Sequence, residues 1–150
     1  LQGCTVRYSF SGASISPEVK TVSIARFPNN ALLVAPILSS TLTDALQDKF
    51  SRQTKLTLVP EGGDLSFEGE ITNYTAITGN ETAALNNLTI TVRVRFTNAI
   101  DPSQNYDKTF SSFSTYPSST LLQEAETSLI PEIVDQLVED IFNAAVSNWD

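Results

Sequence analysis

Four groups of residues in this chain have types and spacings that point to chemistry. Leu1-Gln2-Gly3-Cys4 has the form of a bacterial lipobox, in which a cysteine behind a leucine, a variable and a small residue is acylated. Cys4 is the chain's single cysteine, so no intrachain disulfide competes for its thiol, and lipidation at Cys4 is the expectation. Leu1–Gly3 would then lie outside the mature chain, and the protein would sit on a membrane outside the cytoplasm. Glu68 and Glu70 form the second group: two apart on a strand, they stand roughly 7 Å from each other, within the range of an inverting glycosidase pair. They fall on an open, hydrated face opposite two arginines, where nothing raises a carboxyl pKa, so no catalytic role is assigned to them. Asp101, Asn105 and Asp107 offer oxygen donors of the kind calcium takes, but not at EF-hand spacing, and a polar turn opened by Asp101-Pro102 accounts for them without an ion. Arg93 and Arg95 are the candidate ligand-binding residues. Their forked donors suit phosphate or carboxylate groups; the competing use is cross-strand pairing with Glu68, Glu70 and Asp107, and both hold if a ligand displaces the acids.

Composition closes off much else. The chain has no histidine, which removes histidine general bases, Ser-His triads and most zinc or copper sites. No catalytic site, metal or cofactor is expected. The net charge is −8, and it is unevenly spread: residues 1–108 hold all nine bases against ten acids, while the last 42 residues hold seven acids and no base. Such a chain is a poor ligand for nucleic acid or anionic lipid headgroups. No apolar run approaches the ~18 residues that span a bilayer, so attachment to membrane is expected through Cys4 alone. Sequons at Asn73, Asn80 and Asn87 are read as chance, since threonine is a favoured strand residue.

The elements that position these groups follow from periodicity. Residues 1–19 read as lipobox and tether, and 20–150 as a single domain; a chain of 150 residues is long enough for one core. Residues 20–27 predict a short strand ended by Pro28-Asn29-Asn30. From about Leu33 to Gln53, Leu38, Leu42, Leu46 and Phe50 recur four apart and predict a helix with Asp48 and Arg52 paired on its wet side. Strands are predicted at 56–59, 65–77, 85–97 and 106–116. In the third of these Leu88, Ile90, Val92, Val94 and Phe96 face a core while Thr89, Thr91, Arg93, Arg95 and Thr97 face out. A register pairing Phe67 with Phe96 and Ile71 with Val92 sets Glu68 against Arg95 and Glu70 against Arg93. Asp107 opposite Arg95 turns Tyr106, Lys108 and Phe110 inward, and Phe113 then predicts a bulge near Ser111-Ser112. A last helical stretch after Ser119 or Thr120 either kinks at Pro131 or restarts there behind Ser128, with Ile130, Val134, Leu137, Ile141 and Ala145 as its core stripe. Two helices cover one face of a sheet, so the fold class is α+β, a two-layer sandwich with a mixed, mostly antiparallel sheet of about four strands.

With these residues in place the chain resembles a known family. The lipobox followed by YSFSGASI, then TVSIARFPNNA, GGDLSFEGEITNY, GNETAALNNLTITVRVRFTN and LVEDIFNAAVSNW are similar to the Bacteroidetes-type LptE proteins, lipopolysaccharide-assembly lipoproteins. The resemblance runs from Cys4 to Trp149. It implies a non-catalytic outer-membrane lipoprotein on the periplasmic side that partners the LptD β-barrel as a plug and helps deliver lipopolysaccharide. It transfers one position, Cys4, as the acylation site. Thr5 follows it in place of the aspartate that marks inner-membrane retention in many lipoproteins, in keeping with outer-membrane sorting. The alternative is a lipid-anchored binding module for another envelope glycan or protein, with no barrel partner. The loops 79–84 and 101–105 are the expected barrel contacts.

Overall fold

A computed structural model describes residues 15–31, 35, 37–78 and 85–146; Cys4 and the 79–84 loop lie outside them. The elements run β1 (Thr21–Ile24), α1 (Leu38–Gln53), β2 (Thr57–Leu58), β3 (Leu65–Thr78), β4 (Leu85–Asn98), a 3-10 turn (Pro102–Gln104), β5 (Tyr106–Pro117) and α2 (Leu122–Val146). They build one five-stranded sheet in the order β2-β1-β3-β4-β5. β1 is parallel to both β2 and β3, and β3, β4 and β5 form an antiparallel meander. The α+β sandwich is the expected class, with five strands where about four were expected; the strand expected at 56–59 is the two-residue β2, which returns after α1 to extend the sheet beyond β1.

Both helices pack on the same sheet face because each carries a stripe that matches it. Leu38, Leu42, Leu46 and Phe50 of α1 are fully buried, and so are Ile130, Leu137, Ile141 and Ala145 of α2. Leu88, Ile90, Val92, Val94 and Phe96 of β4 meet them, each at most 1% exposed. A run of rings ties the layers together. Phe142 of α2 lies 4.9 Å from Phe50 of α1, which lies 5.1 Å from Phe67 of β3; Phe96 and Tyr106 continue the run across β4 and β5 at 4.8 and 5.1 Å. Each such pair adds to the area it buries by an offset or edge-on contact. The mouth of β1 is pinned to α1 by polar bonds: the Phe27 N–H donates to Thr43 Oγ1 at 3.2 Å, and its carbonyl accepts from the Ser39 hydroxyl.

Three local expectations change and one open choice closes. α1 begins at Leu38 rather than near Leu33, because a residue that precedes proline, here Ala35 before Pro36, is driven out of the helical region. α2 is one helix through Pro131, with no restart behind Ser128; the Ser128 hydroxyl bonds back to the Ala125 carbonyl at 3.3 Å. The bulge sits in β3, where the register steps between Ile71 and Asn73, and not at Ser111-Ser112; β5 keeps one register with β4 from end to end. Phe113 therefore faces outward opposite Thr89, 61% exposed. Finally, the core begins before residue 20, since Val19 is buried and Ile15 packs on it.

Lys108 sits opposite buried Val94 on the helix-covered side of β5, with its ammonium 5.4 Å from the Tyr106 ring. An inward lysine at a sheet edge places a charge where a foreign strand would have to bury it.

Candidate functional site

The face of the sheet away from the helices carries five of the charges that the sequence singled out. Period-two alternation puts Glu68 and Glu70 on it from β3, Arg93 and Arg95 from β4, and Asp107 from β5. The register matches expectation, with Glu68 opposite Arg95, Glu70 opposite Arg93 and Asp107 opposite Arg95. The side chains choose diagonal partners instead. Arg93 donates from Nε and Nη2 to the two oxygens of Asp107 at 2.9 and 2.7 Å, a fork-to-fork pair. Arg95 reaches Glu70 at 3.2 Å and comes within 3.9 Å of Glu68. The right-handed twist of a sheet brings one diagonal closer than the other, and long side chains take it.

The electrostatics follow from these contacts. The hydrogen bonds and charge of Arg93 hold the Asp107 carboxyl below its ordinary value, and Asp107 raises Arg93 in return. Three carboxylates meet two guanidiniums here, so the patch has a formal charge of −1 and both arginines are committed to acids of this chain. The Asp101, Asn105 and Asp107 group disperses in the same way. Asp101 Oδ1 accepts from the Ser103 hydroxyl and amide, which lowers its pKa; Asn105 Oδ1 accepts from the Asn98 amide at 2.6 Å; and Asp107 holds Arg93. Among the described residues no His, Cys, Asp and Glu set is arranged to hold a metal ion.

Beyond the arginines, toward the β3–β4 tip, the same face loses its charge. Thr75, Thr89, Thr91, Ser111 and Thr115 line it, and the Thr91 and Ser111 hydroxyls meet at 3.0 Å. Phe113 and, at 46% exposure, Leu85 rise from this hydroxyl surface. Sequence reasoning missed Phe113 as a surface group; an uninterrupted parity through β5 would have turned it outward. The strand ends that flank the two loops expected to share a contact lie at opposite ends of the sheet. Asp101–Asn105 is at the end where Val22, Leu65 and Asn98 stand level and where the chain enters at Ile15, while β3 leaves Thr78 at the far end.

Fold and face together define the class of structure: an α+β sandwich whose helices close one side and whose sheet presents the other. No helix among the described residues is long and apolar enough to cross a membrane.

Comparison with known proteins gives the family. Residues 19–145 match the LptE family, described as lipopolysaccharide-assembly, and this chain belongs to it. Comparison with curated proteins returns no match. Solved structures share the fold at low identity. The hypothetical protein CT253 from Chlamydia trachomatis superposes with a TM-score of 0.60 at 10% identity, covering 85% of this chain and 98% of its own. A minor lipoprotein from Acinetobacter baumannii gives 0.58 at 16% identity, over 87% and 95% of the two chains. The rare lipoprotein B from Shewanella oneidensis gives 0.57 at 11%, over 81% and 92%.

Proposed function

We propose that this chain is a non-catalytic outer-membrane lipoprotein, held on the periplasmic side by acyl chains on Cys4, that partners an LptD-type β-barrel as a plug and assists lipopolysaccharide transport and assembly. The observation that carries this reading is the family match across residues 19–145, which spans the whole sandwich. The lipobox supports the anchor, and the stretch between Cys4 and the body serves as tether. One acyl chain binds a bilayer only marginally, at about 0.8 kcal/mol per buried methylene, so firm retention needs the two or three chains of a lipoprotein.

In this reading the Thr78 end of β3 leads into the barrel and the tether end stays at the membrane, because the two stand at opposite ends of the sheet. Arg93 and Arg95 are the proposed contacts for lipopolysaccharide phosphates, which would take them from Asp107 and Glu70. A pull-down with the tagged full chain from detergent-solubilised outer membrane tests the partnership: a large β-barrel should co-purify in equal amount. Recovery of the chain without a barrel would refute it and favour a free-standing binding module. Lipopolysaccharide binding that is unchanged by Arg93→Glu with Arg95→Glu would remove the two arginines from the scheme.

A further inference from the structure

Among the described residues, nearly every basic side chain has a partner. Arg26 bonds to Ser39, Lys49 to Glu139, Arg52 to Asp48, Arg93 to Asp107 and Arg95 to Glu70, and Lys108 lies over Tyr106. Lys20 and Lys55 stand outside this pattern: neither ammonium is paired with an acid. Both line the same open groove, about 540 Å³, whose apolar lining comes from Ile15, Pro17, Val19 and Leu56. Its volume is within the range of small-molecule sites.

The groove lies where the body begins. Ile15 is the first described residue and stands eleven positions after Cys4, a span of about 40 Å at most when extended. Charge is distributed to match. Along the sequence, residues 1–55 hold six of the nine bases and three of the 17 acids, and Lys49 and Arg52 among these bases are taken by Glu139 and Asp48, which leaves Lys20 and Lys55 at the groove. Of the acids close by, Asp64 is engaged by the Lys20 and Thr21 amides at 2.8 and 3.3 Å, and Asp48 by Arg52. Glu18 is exposed and does not line the groove. The carbonyl end of α1, at Gln53 and Thr54, occupies another part of the wall. An anion is therefore directed to the lysine rim, and an apolar stem to the Ile15, Val19 and Leu56 side.

We propose that this groove seats the phosphate headgroup of an anionic membrane phospholipid, with Lys20 and Lys55 on the phosphate and the glycerol and upper acyl carbons over Ile15, Pro17, Val19 and Leu56. The seat would hold the tether end of the body against the headgroups of the bilayer. For the nearness of a bilayer this rests on the lipid-anchor reading; the headgroup chemistry stands apart from it. The total charge of −8 argues against anionic lipid surfaces in general, and the two unpaired lysines of this groove are the local exception.

The test uses the full chain with Cys4→Ser, which carries no acyl group, and co-sedimentation with vesicles of phosphatidylcholine alone or mixed with phosphatidylglycerol. The chain should partition to the anionic vesicles, and less so as salt rises. Lys20→Gln with Lys55→Gln should weaken that partitioning about thirty-fold, the expected loss for two lysines at an anionic surface, with the circular dichroism spectrum unchanged. Equal partitioning to both vesicle types would overturn the proposal. So would binding that the double variant leaves intact, or resonance shifts at Lys20 and Lys55 with inorganic phosphate but no vesicle binding. The mass of the natively expressed chain tests the anchor separately: absence of acyl groups on Cys4 would remove the anchor and leave the vesicle result standing.

Discussion

Replacing Gly69 with alanine should damage this fold severely for a single-carbon change. Gly69 lies in mid-strand between Phe67 and Ile71, opposite Val94, on the side that faces the core. A Cβ there would stand 1.9 Å from the Arg93 carbonyl oxygen and 3.0 Å from the Phe27 ring. Real Cβ contacts essentially never fall below 3.0 Å, so the β4 backbone at Arg93 would have to retreat by about an ångström. Strands in a sheet sit about 4.8 Å apart, and a shift of that size loosens the ladder bonds on either side, each worth about 1 kcal/mol net. Forcing extra volume into a packed core costs about 1–3 kcal/mol more, so Gly69→Ala should lose about 3–5 kcal/mol in a urea titration. The closest atom is backbone, so Phe27→Leu should not rescue the variant; the two changes should be close to additive. Gly62→Ala is the control. Gly62 has φ +70° and nothing within 4 Å of its would-be Cβ, so only the left-handed backbone penalty of about 1–2 kcal/mol applies. A Gly69→Ala protein that unfolds within about 1 kcal/mol of the parent, or one that Phe27→Leu restores, would refute this account of the β3–β4 packing.

Other substitutions test the core and its titrating groups. Phe50→Ala removes the ring that joins both helices to β3 and should cost about 3–5 kcal/mol by chemical denaturation. Burial raises the Tyr74 and Tyr106 hydroxyls above their ordinary 10.0, with the Tyr74 bond to Glu126 adding to the effect. Above pH 10 the unfolded chain gives up these protons while the native one keeps them, so stability should fall by about 1.4 kcal/mol per pH unit for each tyrosine. Tyr74→Phe and Tyr106→Phe should each flatten that slope in alkaline unfolding curves. Lys49, 2.7 Å from Glu139, lowers the Glu139 carboxyl beneath its ordinary 4.5. The contribution of that pair is present above 4.5 and lost as pH falls through the lowered value. Thermal melts of Glu139→Gln and the parent should therefore differ at neutral pH and converge in acid.

Most of this architecture was legible in the chain because its strands and helices have one-sided patterns. The alternation of Leu88 to Phe96 gave β4 and its outward arginines, and matching the phenylalanines of β3 and β4 gave the register down to Ile71. Periodicity is blind to where one strand gains a residue. Thr72 can face outward beside Glu70 or be the extra residue of a bulge with no change in hydrophobicity, so the step was assigned to β5, where Phe113 looked out of place. β2 was expected as a strand at 56–59, but its place in the sheet was not: two exposed residues have no period, and only the backbone bonds from Thr57 and Val59 to Lys20 and Val22 set them beside β1. At the charged patch, register fixed which residues share the face, but not which acids the arginines take. That choice depends on twist and side-chain reach. The groove at Lys20 and Lys55 gave no signal at all, because its two halves lie 35 residues apart and meet only through the β1–β2 pairing.

The pairing on the sheet face also narrows what Arg93 and Arg95 can recognise. A ligand carboxylate that took Arg93 from Asp107 would exchange one bidentate pair for another of the same charge and leave Asp107 unpaired beside Glu70. Such an exchange has no driving force. A phosphate monoester carries close to two negative charges and three acceptor oxygens, so it can bridge both guanidiniums where each acid of the chain holds one. It must still approach a patch with one more acid than base, and that repulsion is relieved when Asp107 and Glu70 swing into solvent. A site built this way discriminates through displacement: groups that only match the resident carboxylates are turned away, and those with greater charge and a second fork are kept. On the proposed reading, the phosphates of lipopolysaccharide meet that condition and its sugar hydroxyls and single carboxylates do not, so phosphate-free lipopolysaccharide should bind as weakly as the intact lipid does to Arg93→Glu with Arg95→Glu.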